Sequence, residues 1–161
     1  MNTNRLAIAI PLFIVLLCGC MPTLIPPDST TVQRVIEVPG IPKDIIYERS
    51  RIWIAKTFRS SKAVIEYENK ETGVIIGNGI IHYTVKADPL GLYMAEVPVR
   101  FTMKEDIKDG RIRITFDNLF EGTGDFPATY QQSMDRIRPK LLSLADSLGE
   151  AVRSPQDSKP W

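Results

Sequence analysis

The chain has 161 residues, with 20 Lys and Arg against 19 Asp and Glu, and 43% of its residues are hydrophobic. A formal charge of +1 provides no basic field to gather phosphate, so nucleic-acid binding driven by phosphate neutralisation is not expected. The length suits one domain, and two cysteines with a single histidine leave little for a zinc site or a disulfide framework.

Chain order begins with a punctuated N-terminus. Arg5 is the only charge before Cys20, and Leu6 to Leu17 is apolar except at Pro11. About twelve residues at ~1.5 Å rise reach roughly 18 Å, short of a ~30 Å hydrocarbon core. The run therefore fits an export signal better than a membrane span, a buried core helix being the other reading. It ends in Leu17-Cys18-Gly19-Cys20, which resembles the lipobox of bacterial lipoproteins. The resemblance implies cleavage between Gly19 and Cys20, diacylglycerol on the Cys20 thiol and acylation of its freed amine. Cys18 stands where Ala, Ser or Thr is more usual. Two or more acyl chains anchor a protein stably, each buried methylene adding ~0.8 kcal/mol. Met21, in place of an inner-membrane-retaining Asp, favours the outer membrane, with the domain facing the periplasm.

The expected organisation is a signal peptide over residues 1–19, a lipidated Cys20 and Pro-rich tether over 20–30, an α+β domain over 31–150 and a loose tail over 151–161. Removing residues 1–19 removes Arg5 and no acid, leaving 19 basic and 19 acidic side chains. Pro22, Pro26 and Pro27 rule out a continuous helix in the tether, which would span up to ~30 Å.

Thr31 to Val38 is β-branched and stops at Pro39-Gly40, which predicts a strand. Pro42 suits a first helical position and Asp44 the positive first turn of a helix reaching about Phe58. Ile46, Tyr47, Ser50, Trp53, Ile54, Thr57 and Phe58 form its stripe. Tyr47 and Trp53 could form a ligand cage, but their place among aliphatics predicts core packing. Arg49, Arg51, Lys56 and Arg59 read as a solvated face.

A strand over Ala63–Asn69 would put Ile65 and Tyr67 on one face and Glu66 and Glu68 on the other. A turn at Lys70–Gly73 leads into Val74–Val85, where Gly77-Asn78-Gly79 reads as close packing under the first helix. With no helix following, a phosphate loop gains little support. Beyond the turn at Asp88-Pro89-Leu90-Gly91, Tyr93 to Met103 alternates at period two, which predicts a sheet with one buried and one wetted face. Pro98 belongs at an edge, a bulge or the outward side. Ile112, Ile114 and Phe116 alternate with Arg111, Arg113 and Thr115. Glu121 to Pro127 reads as a loop. Met134, Ile137, Leu141, Leu144, Ala145 and Leu148 stripe a last helix over Ala128–Glu150, with a kink or break expected at Pro139.

The order is therefore β-α-β-β-β-β-α: a five-stranded, antiparallel-rich sheet with two helices on one face. Tyr47, Trp53-Ile54-Ala55 and Thr72 to Gly79 resemble a bacterial envelope family, the domain of unknown function numbered 4468, with a fold like the TATA-binding protein. The resemblance covers about Val32 to Leu148 and implies no activity and no site residue. The nucleic-acid role of the fold's namesake is not expected to transfer.

Glu66 and Glu68, taken as about 7 Å apart on one strand face, form the only candidate acid–base pair. His82 sits mid-strand, and no nucleophile elbow or zincin helix is present. The leading reading is a non-enzymatic envelope lipoprotein that binds a protein partner, without cofactor, metal or nucleic acid. Met94, Pro98, Arg100 and Arg113 are its candidate contacts. The rivals are a lipid or small-ligand carrier with a cavity between helices and sheet, and a hydrolase.

Overall fold

The computed structural model describes residues 23–26, 30–58, 65–124, 126–128 and 130–154. Residues 1–19, the expected signal peptide, with Gly19 at its end, and Cys20 lie outside them, as do Arg59 and residues 155–161.

Strand β1 (Val32–Glu37) leads through a turn into helix α1 (Lys43–Thr57). Strands β2 (Ile65–Asn69), β3 (Val74–Lys86), β4 (Met94–Lys108) and β5 (Arg111–Glu121) follow, then a two-residue β6 (Phe126–Pro127) and helix α2 (Gln131–Arg153). The sheet order is β1-β5-β4-β3-β2, with β6 on the outer part of β5, and every pairing is antiparallel. The class is α+β, as expected, with a sixth short strand where a loop was expected. Pairing of Phe126 with Glu121 and Pro127 with Phe120 creates it.

Alternation decides which face the helices cover. Val99, Phe101, Met103 and Ile107 of β4 and Ile112, Ile114 and Phe116 of β5 are at most 2% exposed. They meet Ile46, Trp53 and Ile54 of α1 and Met134, Ile137, Leu141 and Leu148 of α2 in one core. Trp53 donates its indole N–H to Ser147 Oγ at 3.1 Å, tying the two helices. Tyr47 and Trp53 are core residues rather than a cage, while Thr57, expected in the stripe, is exposed.

Pro42 caps α1 instead of opening its first turn. The Lys43 N–H donates to Asp109 Oδ1 at 2.7 Å, so the β4–β5 turn satisfies one of the helix's orphan donors. Helix α2 starts three residues later than expected and runs unbroken past Pro139. Ile137, Leu141, Ala145, Leu148 and Val152 are fully buried and hold it against the sheet across the missing hydrogen bond. Buried Val152 also makes residues 151–153 part of the domain instead of the tail.

Two further expectations are corrected. A bulge in β2 between Ile65 and Tyr67 shifts the register, pairing Ile65 with Gly77 but Tyr67 with Ile76. Glu66 and Glu68 thereby face opposite sides: Glu66 meets Asn78, whereas Glu68 ion-pairs with Arg51 of α1 at 2.8 Å. The room at Gly79 is filled by a neighbouring strand's ring, not by α1. A Cβ there would stand 2.5 Å from the Phe101 ring. Finally, the described part of the tether is docked: Thr23 O accepts from Gln131 N–H at 3.0 Å and Leu24 bridges to Tyr130.

Candidate functional site

The opposite face of the sheet carries no helix among the described residues, and its registers define what it presents. One rung aligns Asn78 of β3 with Thr102 of β4 and Asp117 of β5. Asn78 Nδ2 donates to Glu66 Oε1 at 2.5 Å, Thr102 Oγ1 to Asn78 Oδ1 at 3.1 Å, and Asn118 Nδ2 to Thr102 Oγ1 at 3.2 Å. This is a polar row crossing four strands. Asn118 reaches it from a left-handed conformation (φ 49°) beside the irregularity between Arg100 and Thr102.

Ile80, Arg100 and Phe120 form the next rung, and a shallow cleft of about 530 Å³ opens between these two rungs. Arg100 donates to Gly124 O at 2.9 Å, which fixes its guanidinium over the β5–β6 turn. On the other side, Asp106 takes a forked pair of bonds from Arg113 at 2.9 and 3.2 Å and an ion pair from Lys104 at 3.2 Å. Burial pushes the Asp106 carboxyl up, but hydrogen bonds from Arg113 and Lys104 outweigh it and hold the group below its usual range. Asp117 goes the other way. Burial raises its carboxyl against a weaker pull from Lys104, and its Oδ1 has no hydrogen-bond partner among the described residues.

Chemically, the row suits recognition. Thr102 gives its proton to an amide oxygen and receives one from an amide, so nothing in it activates the hydroxyl as a nucleophile. The candidate pair Glu66 and Glu68 is split between faces. His82 lies exposed on the open face, paired in register with Pro98. Among the described residues, no group of three or more His, Cys, Asp and Glu could hold a metal ion, and no helix is long and apolar enough to cross a membrane.

All four candidate contacts fall on the open face. Pairings of Met94 with Lys86, Pro98 with His82, Arg100 with Ile80 and Arg113 with Asp106 put them on the same side. They are spread along its whole length, and Arg100 and Arg113 already have partners within the chain. Three features escaped sequence reasoning. The row itself depends on two register irregularities. On the helix side, Tyr83 OH donates to Glu121 Oε1 at 2.6 Å and Ser133 Oγ to Glu121 Oε2 at 2.8 Å, with the Arg136 guanidinium 5.8 Å above the Tyr83 ring. Burial raises the Tyr83 phenol, and the Glu121 bond adds to this. The third is Glu105, fully buried under α1 opposite Ser50, whose carboxyl burial pushes up to about 7. It had a signal: it continues the inward parity of Val99, Phe101 and Met103 as the one acid among apolar residues.

The fold places the chain among known structures. A DUF4468 family protein from Bacteroides ovatus ATCC 8483 superposes with a TM-score of 0.59 at 15% identity, over 81% of this chain and 89% of that one. A TBP-like protein from Parabacteroides distasonis ATCC 8503 gives 0.57 at 12% identity, over 78% and 94%. At these identities the likeness establishes the fold alone. No curated protein matches the sequence. The model of the domain of unknown function DUF4468, with TBP-like fold, matches residues 33–121, more than half of the chain. The chain therefore belongs to the DUF4468 family.

Proposed function

We propose that the chain is an exported lipoprotein, anchored through lipid on Cys20, whose helix-free sheet face binds a protein of the cell envelope without catalysing a reaction. The observation that carries the binding role is the row Glu66–Asn78–Thr102–Asn118 on that face. Ile76, Ile80 and Phe120, all half-buried, stand beside it, with Arg100, Lys104, Asp106 and Arg113 around them. An apolar centre with hydrogen-bonding groups and a mixed-charge margin is the composition of a protein-binding surface. The near-zero net charge argues against nucleic acid, and no cofactor or metal is needed. The anchor reading rests on Leu17-Cys18-Gly19-Cys20, with the outer membrane, facing the periplasm, as the expected site.

The carrier reading needs room between helices and sheet. Ile46, Ile75, Phe116, Ile137 and Leu141 fill that layer and are fully buried, which disfavours it. The test is crosslinking in intact cells followed by affinity capture, comparing wild type with Cys20→Ser and with alanine at Met94, Pro98, Arg100 and Arg113. A partner held by the lipidated wild type and lost from the face variants supports the proposal. Identical capture by all variants overturns the face assignment.

A further inference from the structure

Exposed apolar side chains are unevenly distributed over the domain. Of the ten large hydrophobics exposed among the described residues, seven lie at one end of the sheet. Leu90, Leu92, Tyr93 and Met94, between 61% and 81% exposed, occupy the tip of the β3–β4 hairpin. Leu24, Phe126 and Tyr130 lie where β5 ends, β6 pairs and α2 begins. Isolated exposed leucines are ordinary, but a cluster of this kind marks a contact surface.

The hairpin is built to project. The β4–β5 ladder ends at Val99 and Glu121, whereas the β3–β4 ladder continues through five more rungs to Lys86 and Met94. At ~3.4 Å per residue this carries the tip roughly 17 Å beyond the last β4–β5 rung, the nearer rungs at Tyr83, Val85 and Val97 still packing on the core. The tip itself is fixed. Asp88 accepts the Leu90 and Tyr93 N–H groups at 3.0 and 2.6 Å, and these bonds, Tyr93 first, hold its carboxyl below the usual range. Leu90, Leu92 and Tyr93 are therefore presented outward by an ordered turn.

The same end receives the chain from Cys20. Thr23 and Leu24 are docked on the start of α2, so only Met21 and Pro22 stand between the docked backbone and the lipidated cysteine. The three Cα–Cα steps from Cys20 to Thr23 reach at most ~10 Å. A lipid on Cys20 would thus keep this end, and no other, within reach of the bilayer surface.

From the shared position of the apolar hairpin tip, the Leu24–Phe126–Tyr130 cluster and the short leash, we infer that this end is a second membrane contact. The hairpin enters the lipid interface and leaves the polar sheet face standing beside the bilayer, open to the periplasm. Leucine and methionine supply the apolar area, and Tyr93 supplies the amphipathic ring that favours the interface. The inference rests on the lipoprotein reading.

The test uses the full chain processed in a bacterial host, purified and placed in phosphatidylethanolamine–phosphatidylglycerol vesicles. Because Cys20 would be thioether-linked, Leu92→Cys and, at the opposite end, Glu71→Cys can each carry a single environment-sensitive fluorophore. Mass spectrometry of the same samples reports the lipid on Cys20. The expected result is a lipid-bearing chain whose Leu92→Cys label loses emission to nitroxide-bearing lipids while the Glu71→Cys label does not. A lipidated chain with both labels equally unquenched overturns the membrane contact and leaves the lipoprotein reading intact. A label shielded in cells but unquenched in pure vesicles also overturns it, in favour of a protein on the hairpin. A chain without lipid overturns both.

Discussion

Glutamine in place of Glu105 should remove a pH dependence of folding that follows from the position of this side chain. Glu105 is fully buried between Ile75 and Ile114 on the neighbouring strands. Neither carboxyl oxygen has a hydrogen-bond partner among the described residues. The Ser50 hydroxyl opposite favours the charged form slightly without reaching bonding geometry, and burial dominates, moving the group from 4.5 to about 7. The folded protein therefore holds a proton that the unfolded chain releases near pH 4.5. Stability from this group is complete below that pH and falls as pH rises through about 7, after which no more is lost. At 1.36 kcal/mol per pKa unit the whole loss is about 3 kcal/mol, of which about 2 kcal/mol falls between pH 5 and pH 8. Urea unfolding of wild type and Glu105→Gln at these two pH values gives the comparison. A fixed cost of the buried amide and contributions from Asp117 or Asp106 cancel between them. The variant should gain about 2 kcal/mol on wild type from pH 5 to pH 8. A stability difference between the two proteins that does not change with pH would refute the reasoning.

Other consequences concern single contacts. Gly79→Ala puts a methyl against the Phe101 ring, which is wedged edge-on against Phe116 at 5.4 Å between centroids, so denaturant unfolding should show a loss of about 1–3 kcal/mol. Asp109→Ala removes the cap of α1 supplied by the β4–β5 turn and should cost about 1 kcal/mol, whereas Asp109→Asn should retain most of it. Tyr83→Phe removes the hydroxyl bound to Glu121 Oε1, leaving the Ser133 bond to Oε2, and should cost about 1–2 kcal/mol in chemical denaturation, with hydrogen exchange rising first at the start of α2.

The elements that announced themselves did so by period and punctuation. The alternation from Tyr93 to Met103 and the stripe from Ile46 to Phe58 each had one repeating signal, with Tyr93, exposed before β4 begins, and Thr57 misplaced. The split of Glu66 from Glu68 was hidden because one bulge reverses every facing beyond it, and a bulge has no mark in Ile65-Glu66-Tyr67. Strand β6 is two residues long, too short for any period to show. Helix α2 passes Pro139 because tertiary burial of Ile137 and Leu141 overrides a local preference. The polar row was illegible for the same reason as the bulge: Asn78, Thr102 and Asn118 meet only through pairing registers. The four contacts proposed on alternation alone share the open face because strand parity decides facing, but parity says nothing of how far apart they lie.

The most direct test of the account places a photocrosslinking side chain at Thr102, in the middle of the polar row, and at Lys140, on the outer side of α2, in the full chain in living cells. A discrete crosslinked protein from Thr102, absent from Lys140 and diminished when Cys20 is serine, is the predicted result. Equal crosslinking from both positions, or none from Thr102 in cells where Cys20 carries lipid, would contradict the claim that the open sheet face is the binding surface.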